Sequence, residues 1–425
     1  MKIALLSFEY PPETGFGGIG TYTYYQARGL AKLGHEVHVL AGAIHPTNLR
    51  TTTHDGVTVH RFRRDGWLMR AIGRLDRAQL WWTKNRLENG LSMHVGLKAL
   101  LRRHRFDLVE MPECGAEGFL INHSLPIPTL IKFHSPAQLI MDYYDVRRLD
   151  KLCCAAIEEW AIRGARALSS CSRFLADEVR MHFGIREAVR VIPNGIDLEL
   201  FDKSESFDVR RKFNLPQDRP IILFSGRMEP RKGIHLCPEI VASITERYEV
   251  AFVFAGQDLF DFMAKMVLPH MQRRVCKGSL HYVGKLDLCD VRACLRAADI
   301  FLAPSLWENC PYSCLEAMAA GCAIVSSDQG GMPELIRHGD NGLLATNGSV
   351  AHFVAALEQL IEDRGLRERL GAAARRTVEE SYTDREIARR SVEFYAKVLQ
   401  GGSATNGGEM VSGKSAEGLG AGGIR

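Results

Sequence analysis

The stretch Ile300-Phe301-Leu302-Ala303-Pro304-Ser305-Leu306-Trp307-Glu308-Asn309-Cys310-Pro311-Tyr312-Ser313-Cys314-Leu315-Glu316-Ala317-Met318-Ala319-Ala320 decides how this chain is read. Its first four residues are a short apolar run that predicts a buried strand, and Pro304-Ser305 ends it. The run from Leu315 to Ala320 has the composition of a helix. Glu308 therefore falls in the loop after a strand, and Glu316, eight positions on, falls inside the next helix. In an open parallel sheet, ligands bind beyond the carboxyl ends of the strands. An ionised carboxylate only accepts hydrogen bonds, so two of them at that edge fit a ligand rich in hydroxyl groups. The plainer reading of the pair is a solvated loop acid and an exposed helix acid.

Outward from this block the same grammar repeats. In the first half, Ile3–Phe8 predicts a strand, followed by a loop and a helix to about Leu33. Further strands are predicted at Val37–Leu40, Leu108-Val109, Thr129–Phe133, Ala167–Ser170 and Val189–Ile192. A polar stretch of weak periodicity over 199–219 reads as a linker. The second half restarts with Pro220–Phe224, Val250–Phe254, His281–Val283, Ile300–Ala303 and Ala323–Ser326, and a helical run from Arg385 to Leu399 follows. Strands alternating with helices predict α/β layers around parallel sheets. With 425 residues, two domains are expected rather than one core. The Gly-rich segment 401–425 has little to bury and is expected to be disordered.

The block from Ser305-Leu306-Trp307-Glu308 to Gly330-Gly331-Met332-Pro333-Glu334 resembles the donor-binding signature of the retaining GT-B glycosyltransferases of family 4 (glycosyl transferases group 1). The E-x7-E pair, the Glu-Ala-Met-Ala-Ala-Gly helix and the Gly-Gly-x-Pro-Glu turn occur in order, and the resemblance extends over nearly the whole chain. It implies a GT-B fold: two Rossmann-like domains whose parallel sheets face an interdomain cleft. In these terms 1–198 is an acceptor-side domain, 199–219 the linker, 220–380 the nucleotide-sugar-binding domain, and 381–400 a helix crossing back to the first domain. The implied activity moves a hexosyl unit from a nucleoside diphosphate sugar to a hydroxyl of a sugar or lipid-linked sugar, with retention, in surface polysaccharide or glycolipid synthesis.

Composition is consistent with a soluble globular protein, at 46% hydrophobic and 24% charged residues. No apolar run is long enough to span a bilayer. Met1-Lys2 leads straight into a strand-like run, which predicts a cytoplasmic protein. Eleven scattered cysteines without a C-x-x-C pair read as reduced thiols. The net charge of +4 does not call for nucleic acid. Arg61, Arg63, Arg64, Arg70, Arg74 and Arg77 interleave with Trp67, Leu68, Ile72 and Leu75, and Trp81-Trp82 follow. The segment 61–82 has two readings, a basic amphipathic element at the inner face of the plasma membrane or a surface helix with its apolar stripe turned inward.

Gly15-Phe16-Gly17-Gly18-Ile19-Gly20 matches G-x-G-x-x-G, but Glu9–Thr14 separate it from its strand and Leu40 leads into Ala41-Gly42-Ala43 rather than an acid. Both features argue against NAD. The resemblance instead makes Gly17 and Gly18 part of a loop beside the donor phosphates and the acceptor. Arg227 and Lys232, presented by a glycine turn after a strand, fit a diphosphate clamp. Arg231 fits that pattern less well and reads as a surface charge. The resemblance assigns Glu308 to the donor-sugar hydroxyls, Glu316 to the ribose, and His134 to the neighbourhood of the reacting sugar carbon.

Backbone amides of Asn309, Cys310, Pro311 (by its place in the turn), Tyr312 and Ser313 surround the expected phosphate position at a helix start. Glu334, Asn194 and Asp197 read as structural. With no D-x-D motif, neither a metal nor a cofactor is expected. Two other readings stay open: a catalytically weak nucleotide-sugar-binding subunit, and a sugar-nucleotide epimerase on the same fold.

Overall fold

A computed structural model describes residues 1–15, 17–203, 207–258, 260–271 and 277–401. The expected disorder of 401–425 concerns a segment that, past Gly401, lies outside the described residues. Strands are β1 (Lys2–Ser7), β2 (Glu36–Ala41), β3 (Thr47–His54), β4 (Val57–Arg63), β5 (Leu108–Pro112), β6 (Thr129–Phe133), β7 (Ala167–Ser170) and β8 (Val189–Val191). They form one sheet in the order β3-β4-β2-β1-β5-β6-β7-β8. A second sheet, in the order β11-β10-β9-β12-β13-β14, is built from β9 (Ile221–Ser225), β10 (Ala251–Ala255), β11 (Ser279–Gly284), β12 (Ile300–Ala303), β13 (Ala323–Ser327) and β14 (Leu343–Ala345). The central strands are buried on both faces, so they are continuous apolar runs, as expected where helices cover both sides of a parallel sheet.

Strand order places the functional loops. In the first sheet β1 lies between β2 and β5, and in the second β9 lies between β10 and β12. Each is a topological switch point, where the connections on either side diverge and leave a crevice at the carboxyl edge. The loops that follow β1, β5, β9 and β12 therefore line two such crevices.

The first sheet is not wholly parallel. β3 and β4 form an antiparallel hairpin, a feature absent from the reading of the sequence. β3 is an exposed edge strand without apolar alternation, so periodicity does not reveal it. The signal that does is Asp55-Gly56, both at positive φ (51° and 76°), the signature of a type I′ hairpin turn. The hairpin also corrects the basic segment at 61–82. Arg61 belongs to β4, is buried, and donates to the carbonyls of Tyr10, Pro11 and Gly42. Only from Trp67 on does the segment become helical, over Trp67–Gly73, with Met69 and Ile72 inward and Trp67 74% exposed. The stretch read as a plain linker carries two short helices, Leu198–Asp202 and Val209–Lys212.

Helix α1 (Gly18–Lys32) follows the glycine loop, and α2 (Trp81–Leu101) and α3 (Arg148–Arg163) pack together beyond it. In the second half α4 (Leu288–Ala297) and α5 (Tyr312–Ala319) flank β12. The final helix, α6 (Asp384–Leu399), lies on α1. The approach is close: a Cβ on Gly29 would sit 2.4 Å from the Asp384 carbonyl oxygen. Tyr395 of α6 donates to Glu110 at 2.6 Å and accepts from Gln26 at 3.1 Å, while Tyr22 donates to the other Glu110 oxygen. All four side chains are buried. Tyr395→Phe leaves one oxygen of Glu110 without this donor, and chemical denaturation should show a loss of about 1–3 kcal/mol.

Candidate active site

The loop after β9 delivers the cations. Gly226 and Gly233 have φ of 153° and 71°, and a Cβ on Gly233 would lie 1.9 Å from the Pro304 carbonyl oxygen. Only glycine permits that approach, so the turn Pro230–Lys232 is held against the β12 loop. Lys232 forms a short ion pair with Glu308, and Arg231 reaches the same Glu308 oxygen at 3.1 Å. Arg231 also pairs with Glu229 at 3.0 Å and donates to the Trp307 carbonyl. Arg231 is thus buried at 6% exposure, which corrects its reading as a surface charge. Arg227, by contrast, has a side chain 54% exposed and touches Glu229 only at 3.5 Å.

Burial by itself would raise the Glu308 carboxyl. Lys232 and then Arg231 overcome that and hold it below its ordinary value, so it is ionised at neutral pH. Its peptide is gripped from behind. Gly331 N–H donates to the Glu308 carbonyl at 2.8 Å, and Cβ atoms on Gly330 and Gly331 would come within 2.1 and 2.0 Å of the Glu308 and Asn309 carbonyl oxygens. The Gly-Gly turn is therefore the floor of the Glu308 loop.

Across the segment Asn309–Ser313, most side chains turn inward. Asn309 donates to the His134 carbonyl at 2.6 Å, and the Cys310 carbonyl accepts from Asn194 at 2.8 Å, so both bind the two halves of the molecule together. Pro311 and Tyr312 are buried, and Ser313 is half-buried. What this segment offers a ligand is backbone. Pro311 occupies the N-cap of α5 and no side chain caps that end, leaving helix-start amides oriented toward an anion.

Glu316, one face further along α5, has burial pushing its carboxyl up to about 7 against the pull of Arg292. Tyr25 and Tyr312, with ring centroids 5.6 Å apart, lie beside it, and Arg292 of α4 approaches the Tyr25 hydroxyl. Glu334 accepts from the amides of Arg173 and Phe174, another link between the halves. Asp197 caps the Leu198–Asp202 helix and pairs with Arg28 and Lys32.

On the opposite wall, His134 follows β6 and is 7% exposed. Burial, with the nearby Lys132 ammonium, holds its imidazole well below the ordinary value, so the ring is neutral. Its Nε2 is buried without a partner, and the Tyr22 ring lies 4.7 Å away. The His134 loop hangs on Glu113, a residue absent from the reading of the sequence. Glu113 accepts from the amides of His134 at 2.9 Å and Ser135 at 2.6 Å. Burial pushes that carboxyl up to about 8 against those amides. Its position just after β5, at a carboxyl edge, was the available signal.

Gly17 is the N-cap of α1, and a Cβ there would meet Glu9 Oε2 at 2.1 Å; Gly18 faces open space. The missing Cβ of Gly17 makes room for Glu9, a second residue that sequence reasoning missed. Burial raises the Glu9 carboxyl while Arg227, from the other half, opposes it.

Two family models match this chain: Glycosyltransferase Family 4 over residues 16–200 and Glycosyl transferases group 1 over residues 205–377. A glycogen synthase of Mycobacterium tuberculosis is 26% identical over 94% of this chain and 96% of its own length. An uncharacterized glycosyltransferase of Methanocaldococcus jannaschii is 27% identical over 94% of this chain and 99% of its own. Among solved structures, sucrose-phosphate synthase from Thermosynechococcus elongatus superposes with a TM-score of 0.75 at 20% identity, covering 94% of this chain and 99% of that one. The order of the two sheets, the loops at their facing edges and the two family matches lead to one conclusion. The chain belongs to the family 4 (group 1) glycosyltransferases of GT-B fold.

Proposed function

We propose that the protein transfers a hexosyl unit from a nucleoside diphosphate sugar to a hydroxyl of a sugar or lipid-linked sugar, with retention, in surface polysaccharide or glycolipid synthesis. The observation that carries this reading is the charge arrangement at the second switch point. An ionised Glu308 is held by Lys232 and Arg231 beside an exposed Arg227 and an uncapped helix start. Arg227, Lys232 and the helix amides neutralise the departing diphosphate, so this reading places no metal there. Glu308 receives donor-sugar hydroxyls and Glu316 the ribose hydroxyls.

Glycosyl transfer on one face breaks the bond from C1 to the phosphate oxygen and forms the bond from C1 to the acceptor oxygen. The acceptor proton passes to the leaving phosphate. A neutral His134 stabilises the oxocarbenium-like sugar without adding a repelling charge. NMR of the product should show the donor's anomeric configuration; an inverted anomer overturns retention. Rates should be unchanged by added Mg²⁺. A thermal-shift panel of nucleotide sugars identifies the donor, because a ligand at 100-fold its Kd adds about 2.7 kcal/mol.

Donor affinity should depend on pH through Glu316. Hydroxyls donate more strongly to the ionised carboxylate, so donor KM should fall as pH rises through about 7. Glu316→Gln should flatten that profile, and steady-state kinetics across this range check it. No described helix is long and apolar enough to cross a membrane. Exposed Trp67 and Trp81, with Arg70, Arg74 and Arg77 around them, support contact with an anionic bilayer surface. Trp67→Ser should then weaken sedimentation with anionic vesicles; unchanged binding removes this part of the reading.

A further inference from the structure

We propose that His38, His60 and His104 form a binding site for a divalent transition metal, with Zn²⁺ as the fitting ion, remote from the cleft. β2 and β4 run parallel in the register His38↔Thr58 and Leu40↔His60, which puts His38 and His60 on one face of the sheet, two positions apart. The turn after α2 brings His104 to them. One ring nitrogen from each of the three lies within 4.8 Å of the other two. This cluster is built towards the amino-terminal side of the first sheet, next to Lys2 and Glu36, the first residues of β1 and β2. The cleft loops leave the opposite edge.

The surroundings match what a metal asks of imidazoles. His38 Nδ1 and His60 Nε2 share a hydrogen bond of 2.8 Å, so two ring nitrogens already face each other across the site. Each ring is oriented from behind: His60 Nδ1 lies 2.9 Å from Thr51 Oγ1, and His38 Nε2 lies 3.0 Å from Glu36 Oε1. A hydroxyl or carboxylate behind an imidazole fixes its tautomer and frees the other nitrogen for the metal. With Zn–N bonds of about 2.0–2.1 Å in tetrahedral geometry, the ligating nitrogens sit about 3.4 Å apart. The His38–His60 pair therefore opens by about half an ångström to admit the ion.

Phe106 packs against His38 and His104 and keeps one side dry. His104 is only half-buried and Glu36 is exposed, which leaves an entry path, and water completes four ligands. Three neutral nitrogen donors without thiolate favour Zn²⁺, Ni²⁺, Co²⁺ or Cu²⁺ over Mg²⁺ or Ca²⁺. Bound there, the ion ties β2, β4 and the turn after α2 together.

One group opposes the metal. The Lys2 ammonium contacts His104 Nδ1 at 3.1 Å and pairs with Glu36 at 2.7 Å. When His104 turns a free nitrogen to the ion, Lys2 must give up that contact, and its charge repels the cation. Removing the charge should tighten binding, the reverse of what a merely structural histidine cluster predicts.

The test uses the full chain, stripped with a chelator and titrated with Zn²⁺ by calorimetry and with Co²⁺ by visible absorption at neutral pH. The expected result is one saturable equivalent, d–d bands of a low-coordinate nitrogen site, and a raised Tm with Zn²⁺. Binding should weaken at least tenfold in His104→Asn, whose half-buried position keeps the fold and the transferase rate intact, and should strengthen in Lys2→Gln. Three outcomes overturn the proposal: no saturable equivalent, an affinity unchanged in His104→Asn, or an intense near-ultraviolet thiolate band that assigns the metal to cysteines.

Discussion

Lys232→Ala should lower kcat by about 10²–10³-fold with little change in Tm, whereas Arg231→Ala, one residue away, should cost about 3–5 kcal/mol of stability. The two cations share one partner but stand in different surroundings. Lys232 contacts Glu308 from a site that remains partly open, and on its removal Arg231 still neutralises Glu308 at 3.1 Å. What is lost is a charge available to a leaving diphosphate, so the deficit should appear in kcat. Arg231 is enclosed between Glu229 and Glu308, and its loss leaves the buried Glu229 with only the exposed Arg227 at 3.5 Å, while Glu308 keeps Lys232. Differential scanning calorimetry beside single-turnover kinetics separates them. Loss of Tm in Lys232→Ala, or a stable and active Arg231→Ala, would reverse the assignment of roles.

Gly331→Ala should disable the enzyme through the backbone. The added methyl meets the Asn309 carbonyl oxygen at 2.0 Å and Ser172 Cβ at 2.9 Å, with no flexible atom to give way. The Glu308–Asn309 peptide must shift, carrying with it the Glu308 carboxylate and the Asn309 bond to His134. Overpacking of this kind costs about 1–3 kcal/mol. Gly330→Ala adds to a similar clash a left-handed φ of 70°, for about 1–2 kcal/mol more. Both variants should lose donor affinity and turnover together, measured by donor-dependent thermal shift and initial rates. Gly18→Ala is the control: a Cβ there meets nothing within 4 Å, so stability should hold.

Much of the architecture was legible in the residues because buried parallel strands must be apolar on both faces. Thr129–Phe133 and Ile300–Ala303 announce themselves in this way, and the loops after them inherit their place at a sheet edge. Thr47–His54 did not, because an exposed edge strand needs no apolar face, and only Asp55-Gly56 betrayed it. The basic run that begins at Arg61 was misread for a related reason. An arginine at the head of a basic run looks solvated until the carbonyls of Tyr10, Pro11 and Gly42 close around it.

By itself, then, the sequence determined the alternation of strands and helices, the strand-end placement of Arg227, Lys232, Glu308 and His134, and the glycines at Gly330-Gly331. These follow from local rules of periodicity and backbone freedom. Tertiary structure alone decided which of two adjacent cations is buried and that Glu113 holds the His134 loop. It alone also buried the side chains of Asn309 and Cys310, and brought three histidines from β2, β4 and a helix end together. Burial and pairing depend on groups far away in the chain, and a charge acquires its role only when the fold has removed its water and supplied a partner.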